Sequence, residues 1–360
     1  MADLPLSHNV ARRTRRALTL VMILSATPLS ARAQSTSAVP DPGLARLEAQ
    51  FADLARIAGG RVGVAAIHLE SGRAAYLNRD GSFPMASTVK VPIAVRLLTQ
   101  VDRGSLRLDS MIAVQPADLH PGSGTLTDLF SQPGVVLSVR NLMELMLRIS
   151  DNSATDILLR TAGGGSAVNA RLSELAVAGI RADRPTIQLI ADYIGVKNLP
   201  SASASIAEFG RLASAGSDSV RRVALTEFEK DPRDTATPDG MARLLEMIWH
   251  RKALSEASSA LLLDIMYRCV TGAERIKGIL PPGTRVAHKT GSLAPSSSIR
   301  GGRVGNDVGI IDLPGAAGHV VMVVFVKEAS DAAMADRAIA QIARAAYDYF
   351  TLVPASRSER

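Results

Sequence analysis

Phe83-Pro84-Met85-Ala86-Ser87-Thr88-Val89-Lys90-Val91 sets a serine and a lysine three residues apart at the mouth of an apolar run that continues to Val101. The run reads as a helix with Ser87 at its N-terminus, where the dipole and free N–H groups favour a developing negative charge. Residues three apart share a helix face, so the Lys90 amine is within reach of the Ser87 hydroxyl. Serine becomes a nucleophile only when a base takes its proton, and a desolvated lysine is such a base. Taken alone, the pair is more simply an N-cap serine and a surface lysine. Pro92 is expected to bend the second turn of this helix.

Two further strings change that reading. Ser150-Asp151-Asn152 sits between two helical stretches, where a hydroxyl would relay a proton and an amide would hold a substrate amide. Lys289-Thr290-Gly291-Ser292 follows a strand-like run, and a lysine with two hydroxyls would clamp a carboxylate. Gly291 is expected to let a substrate backbone approach that strand closely. Each string alone is explained by capping or by a surface lysine. All three, in this order and each in its proper structural context, supply a nucleophile, a base, a proton shuttle and an anion clamp.

Outward from these strings, Leu44, Leu47, Phe51, Leu54 and Ile57 recur at helical spacing. Arg61–His68 and Arg73–Leu77 read as strands of a hairpin turning at Glu70-Ser71-Gly72. Arg285–Ser292, Asn306–Leu313 and His319–Lys327 read as three more strands, and a last amphipathic helix covers about Ala332 to Phe350. The middle is helical. Ser138 reads as an N-cap, with Leu137 and Leu142 placed as a staple. Residues 201–217, rich in Ser, Ala and Gly, read as a loose insertion. The expected fold is α/β (α+β): a five-stranded antiparallel sheet flanked by N- and C-terminal helices, with an inserted all-helical lobe. The α/β lobe would comprise residues 42–84 and 241–354 and the helical lobe 85–240, with the site in the cleft between them.

The N-terminus reads as a secretory signal. Arg12, Arg13, Arg15 and Arg16 precede the apolar run Ala17–Leu24, and Ala31-Arg32-Ala33 offers a cleavage site before Gln34. The run is too short to span a bilayer comfortably, so residues 1–33 are expected to be removed, leaving an exported periplasmic protein without a stable membrane anchor. Thr14-Arg15-Arg16-Ala17-Leu18 leaves the export route open between the general and the twin-arginine systems. Five of the 41 Lys and Arg residues and one of the 34 Asp and Glu fall in this segment, so the remainder carries +3 rather than +7. With aromatics at 4% and no basic cluster interleaved with them, nucleic-acid binding is disfavoured. Cys269 is the one cysteine, so no internal disulfide forms. Its apolar surroundings, Leu261–Val270, mark it as a buried small hydrophobe rather than a nucleophile.

With these strings in place, the chain resembles the class A serine β-lactamases, of the penicillin-recognising serine hydrolase superfamily, over nearly all of residues 34–354. The three strings match that family's signatures. Asp231-Pro232-Arg233-Asp234-Thr235-Ala236-Thr237-Pro238 resembles the end of its Ω-loop, and Asn306-Asp307-Val308-Gly309-Ile310 its following strand. The resemblance implies that Ser87 attacks the lactam carbonyl, Lys90 accepts its proton and Ser150 passes a proton to the leaving nitrogen. Asn152 would bind the substrate's side-chain amide. Backbone N–H groups of Ser87 and Ser292 would form the oxyanion hole, and Lys289, Thr290 and Ser292, with Gly291 between them, would hold the substrate carboxylate. Arg337 is the candidate for an assisting arginine. The resemblance implies a β-lactam as the small-molecule partner, a monomer, and neither metal nor organic cofactor.

The pattern breaks in the Ω-loop. The family reads Arg-x-Asp-Arg-x-Glu-x-x-Leu-Asn, and its glutamate positions the deacylating water. Here the run is Arg181-Ala182-Asp183-Arg184-Pro185-Thr186-Ile187-Gln188-Leu189-Ile190, with Thr186 in the glutamate's place and Ile190 in the asparagine's. The ion pair that closes the loop would be Arg184 with Asp234, so an insertion falls between them, at about 185–230. Three consequences stay open. Another carboxylate (Glu227, Glu229 or Asp192) serves, or Lys90 acts in both half-reactions, or deacylation is slow. The last would suit a D-alanyl peptidase, an esterase, or a penicillin sensor that does not turn over.

Overall fold

The computed structural model describes residues 41–353, apart from 131, 133, 198, 200–205, 296–298 and 300. The signal segment 1–33 and its cleavage site before Gln34 therefore lie outside the described residues.

A five-stranded antiparallel sheet carries the fold. Its strands are β1 (Arg61–His68), β2 (Ala74–Leu77), β3 (Val286–Leu293), β4 (Arg303–Asp312) and β5 (His319–Ala329), in the order β2-β1-β5-β4-β3. Strand side chains alternate between faces, so one apolar strand feeds two cores. On β5, Val320, Met322, Val324 and Val326 enter one core, while Val321, Val323 and Phe325 enter the other. The first core lies under the terminal helices Pro42–Ala55 and Ala332–Leu352, represented by Phe51, Ile339, Ala343 and Phe350. The second lies under the helical middle of the chain, represented by Leu97, Met143, Met146, Ile157 and Leu245. Burial on both faces explains the nearly unbroken hydrophobic run of β5.

Helix boundaries follow local chemistry. Ser138 caps Val139–Arg148, its hydroxyl accepting from Asn141 N at 3.1 Å. Asp151 caps Asn152–Thr161, accepting from Ala154 N at 2.8 Å. The nucleophile segment differs from expectation. Ala86–Val89 is a single 3₁₀ turn, and the α-helix runs only from Lys90 to Asp102. Pro92 therefore falls in the first helical turn, where an amide N–H has no intrahelical partner to lose, and it costs the helix little.

The inserted region is also more ordered than its composition suggests. Helices Thr186–Ile194, Ile206–Ala215 and Asp218–Lys230 occupy it, so the stretch read as loose is largely helical from residue 206 on. Phe209 joins Ile187, Ala191 and Val196 in a small core of its own, and Leu189 and Tyr193 pack with Leu225 and Phe228 in another. Two short bridges tie it back: Phe83–Pro84 pairs with Thr235–Ala236, and Arg181 N donates to Thr235 O at 2.9 Å.

Candidate active site

A cleft of about 450 Å³ is lined by Ser87, Lys90, Ser150, Asn152, Thr290 and Ser292, which brings most of the expected site residues to one place. Two of these segments are held there by unusual backbone. Ala86, just before the nucleophile, has φ +47°, and Ser150 has φ +62°. Non-glycine residues in this region carry strain that the surrounding structure must hold, and such positions cluster at functional sites.

The β3 strand lies hard against the nucleophile turn. A Cβ added at Gly291 would sit 2.6 Å from Met85 O and 3.1 Å from Ser87 N. The protein's own backbone thus requires a glycine here, in addition to the close substrate approach expected from the sequence. Asn306, one strand over, completes the junction. Its Nδ2 donates to Pro84 O at 2.8 Å and Met85 O at 3.0 Å, while its Oδ1 accepts from Val326 N.

Lys90 Nζ donates to Ser150 O (2.7 Å), Ser150 Oγ (2.9 Å) and Asn152 Oδ1 (3.1 Å). Burial, and then the like charge of Lys289, push its pKa well below the usual lysine value. Both effects favour the neutral amine that a general base must be. Lys289 lies beneath the cleft rather than on its wall. It is fully buried, and its Nζ donates to Ser150 Oγ at 3.0 Å and Thr290 O at 2.8 Å. Burial lowers it to about 8, against the upward pull of Cys269 and Asp307. Ser150 Oγ thus stands between two amines, the geometry a proton shuttle needs.

The arginine that lines the cleft beside Ser292 is Arg275. Its Nη2 donates to Ser292 Oγ at 2.7 Å, its Nη1 to Gly291 O and Asn306 O, and its Nε to Asp336 at 2.7 Å, and it lines the cleft. Arg337 is exposed on the last helix and does not line the cleft. The residue next to it, Asp336, does the anchoring. No signal within Thr271-Gly272-Ala273-Glu274-Arg275 pointed to this role. Ser123, also unforeseen, donates to Ser150 O at 2.8 Å from the opposite wall.

Cys269 is buried, as expected. Burial would raise its thiol, yet the neighbouring His288 and Lys289 more than offset this and hold it at about 6. His288 in turn is raised to about 9 against its burial, chiefly by Asp307, whose carboxylate lies 2.9 Å from Nδ1. No group of three or more His, Cys, Asp or Glu side chains is placed to hold a metal ion among the described residues.

Residues 46–350 match the sequence profile of the β-lactamase enzyme family. The chain belongs to that family. It is 28% identical to the VEB-1 β-lactamase of Pseudomonas aeruginosa over 294 residues, which are 81% of this chain and 85% of that one. It is 31% identical to the L2 β-lactamase of Stenotrophomonas maltophilia over 270 residues, 74% and 76% of the two chains. Among solved structures, a β-lactamase from Chitinophaga pinensis superposes with a TM-score of 0.67 at 31% identity, covering 84% of this chain and 98% of that one.

Within this β-lactamase frame the Ω-loop closes as expected and is then elaborated. Arg184 Nε donates to Asp234 Oδ2 at 2.6 Å, both side chains being buried, and its Nη1 also meets Asp192 (2.6 Å) and Asp231 (3.1 Å). The helix Thr186–Ile194 presents two faces. Thr186, Leu189, Ile190, Tyr193 and Ile194 line the cleft, whereas Gln188 and Asp192 line a separate hollow together with Glu227. Glu229 lies beside Lys327 and Glu328. None of the three carboxylates considered from sequence lines the cleft, and no Asp or Glu lines it among the described residues.

Proposed function

We propose that the protein hydrolyses the β-lactam amide of penicillins and cephalosporins through an acyl-enzyme on Ser87. The observation that carries this reading is Ser150 Oγ bridged between Lys90 Nζ and Lys289 Nζ beside Ser87 in one cleft. Lys90, whose neutral form is favoured by burial and by its cationic neighbour, takes the Ser87 proton as Oγ attacks the lactam carbonyl. Ser150 hands a proton to the ring nitrogen as the C–N bond breaks. The substrate carboxylate is met by Thr290, Ser292 and Arg275, with the buried charge of Lys289 behind them. Backbone N–H groups of Ser87 and Ser292 receive the oxyanion, and Asn152 receives the side-chain amide of the antibiotic. The catalytic unit is residues 34–354, exported to the periplasm after removal of residues 1–33, and it acts as a monomer. No helix among the described residues is long and apolar enough to cross a membrane.

The Ser87→Ala variant tests this directly. Loss of all chromogenic-cephalosporin turnover, with the unfolding midpoint unchanged, is the expected result. Undiminished hydrolysis would overturn the reading. A second reading, a D-alanyl peptidase that penicillin acylates and stalls, is favoured by the lack of a carboxylate on the cleft wall. Release of D-alanine from a peptide at higher kcat/KM than penicillin hydrolysis would select it.

A further inference from the structure

Ser123 lines the cleft from a loop stitched to the segment that carries Ser150 and Asn152. His120 N donates to Ser153 Oγ at 2.8 Å, Asn152 Nδ2 to Pro121 O at 3.2 Å and Asn152 N to Ser123 O at 2.9 Å. Thr125 N and Leu126 N donate to Asp151 Oδ2 at 2.7 and 2.9 Å. A Cβ at Gly124, whose φ is +124°, would collide with Asp151, so the loop lies this close only with glycine there. These contacts hold the loop without the Ser123 hydroxyl. That hydroxyl faces two acceptors of Lys90 instead. Ser123 Oγ is 2.8 Å from Ser150 O and 3.3 Å from Asn152 Oδ1, while Lys90 Nζ is 2.7 and 3.1 Å from the same two atoms. The hydroxyl has one proton, and Ser150 O is its nearer acceptor. Among charged groups, Lys289 on β3 opposes the Lys90 ammonium, while Asp151 and Asp156, at the cap and in the first turns of the helix Asn152–Thr161, favour it. Both aspartates are engaged elsewhere. Asp151 accepts from the amides of Thr125, Leu126 and Ala154, and Asp156 from those of Thr186 (2.7 Å) and Ile187 (3.1 Å). The Lys90 amine therefore rests on the neutral oxygens of Ser150 and Asn152.

We propose that Ser123 is a positioning residue for acylation: its hydroxyl proton, set on an acceptor that would otherwise stabilise the Lys90 ammonium, favours Lys90 as the free base. The role rests on the acyl-enzyme reading of Ser87. Its physical basis is competition for oxygen. An ammonium is stabilised by every oxygen it donates to, and a neutral amine gains much less from the same contact. A hydroxyl proton on the Ser150 carbonyl sets a second partial positive charge beside that ammonium and draws on the same oxygen. The charged form loses by this, and the neutral form hardly does. Ser123 gives up no proton and acts only through Lys90.

The test is the stopped-flow acylation rate with a chromogenic cephalosporin, read from about pH 5 to about pH 9 and expressed as variant over native at each pH. An alkaline fall common to all the proteins cancels in that ratio. In Ser123→Ala the acidic limb is expected to move up by about one pH unit, so the ratio is roughly one tenth in acid and climbs to near one in alkali. Ser123→Thr, which restores the hydroxyl, should stay within about threefold of native throughout. Ser123→Cys, of similar size but a weak donor, should tilt the same way as the alanine variant and replaces it if that variant does not fold. A ratio that is flat with pH, whether near one or uniformly low, would overturn the role, because a merely structural loss slows acylation equally at every pH. A threonine variant with the alanine profile would overturn it too. A native protein that forms no Ser87 adduct at any pH contradicts the acyl-enzyme reading instead.

Discussion

Two buried lysines face one serine hydroxyl at the centre of this molecule, and their opposed demands set its pH dependence. Acylation needs Lys90 neutral, the form that burial and the like charge of Lys289 favour, and it needs Lys289 charged to attract a carboxylate. Lys289 loses its proton at about 8. Rising pH therefore helps the base and then removes the clamp charge. A profile of kcat/KM for a carboxylate-bearing cephalosporin should fall on the alkaline side near pH 8; a plateau through pH 10 would contradict this role for Lys289. Arg275 makes a separable contribution. Charged hydrogen bonds are worth about 1.5–3 kcal/mol, so Arg275→Ala should lower kcat/KM for that substrate by roughly 10- to 150-fold. An ester lacking the carboxylate should lose much less. Gly291→Ala would press a Cβ into the Met85 carbonyl, and a shift of the nucleophile turn by about an ångström is expected to cost on the order of 100-fold in acylation.

Among the elements, the inserted Ω-loop region depends on one buried guanidinium. Arg184 binds Asp234, Asp192 and Asp231 at once, and removing a partner leaves charge stranded in the interior. Asp234→Ala should lower unfolding stability by about 3–5 kcal/mol in urea denaturation, and a loss under about 1 kcal/mol would show that the network is not what closes the loop. The pair was legible in sequence because both residues sit in recognisable strings. The strands were legible for the same reason: their alternation is local, and β1 was bounded correctly at Arg61–His68. The helices at 206–215 and 218–230 were not foreseen; in the first, Ser, Ala and Gly masked the spacing of Phe209 and Leu212. Arg275, Asn306 and Ser123 were illegible for a deeper reason. Each acts on residues about 15 to 220 positions away, and nothing in its own neighbourhood carries that information.

On the scale of the whole molecule, the sheet holds the KTG strand against the nucleophile turn, the helical middle supplies Ser150 and Asn152, and the insertion roofs the cleft with a threonine at its rim. The expected nucleophile, base and proton shuttle share one cleft with Asn152, Thr290 and Ser292, and no Asp or Glu lines it among the described residues. The central claim is therefore catalytic turnover through Ser87 in a cleft that no Asp or Glu lines among the described residues. The decisive measurement is a pre-steady-state time course of the purified protein with several-fold excess chromogenic cephalosporin, with the trapped adduct mapped by peptide mass analysis. The account predicts an adduct on Ser87 and continued turnover until the substrate is consumed. A single equivalent of product followed by no further reaction would contradict it.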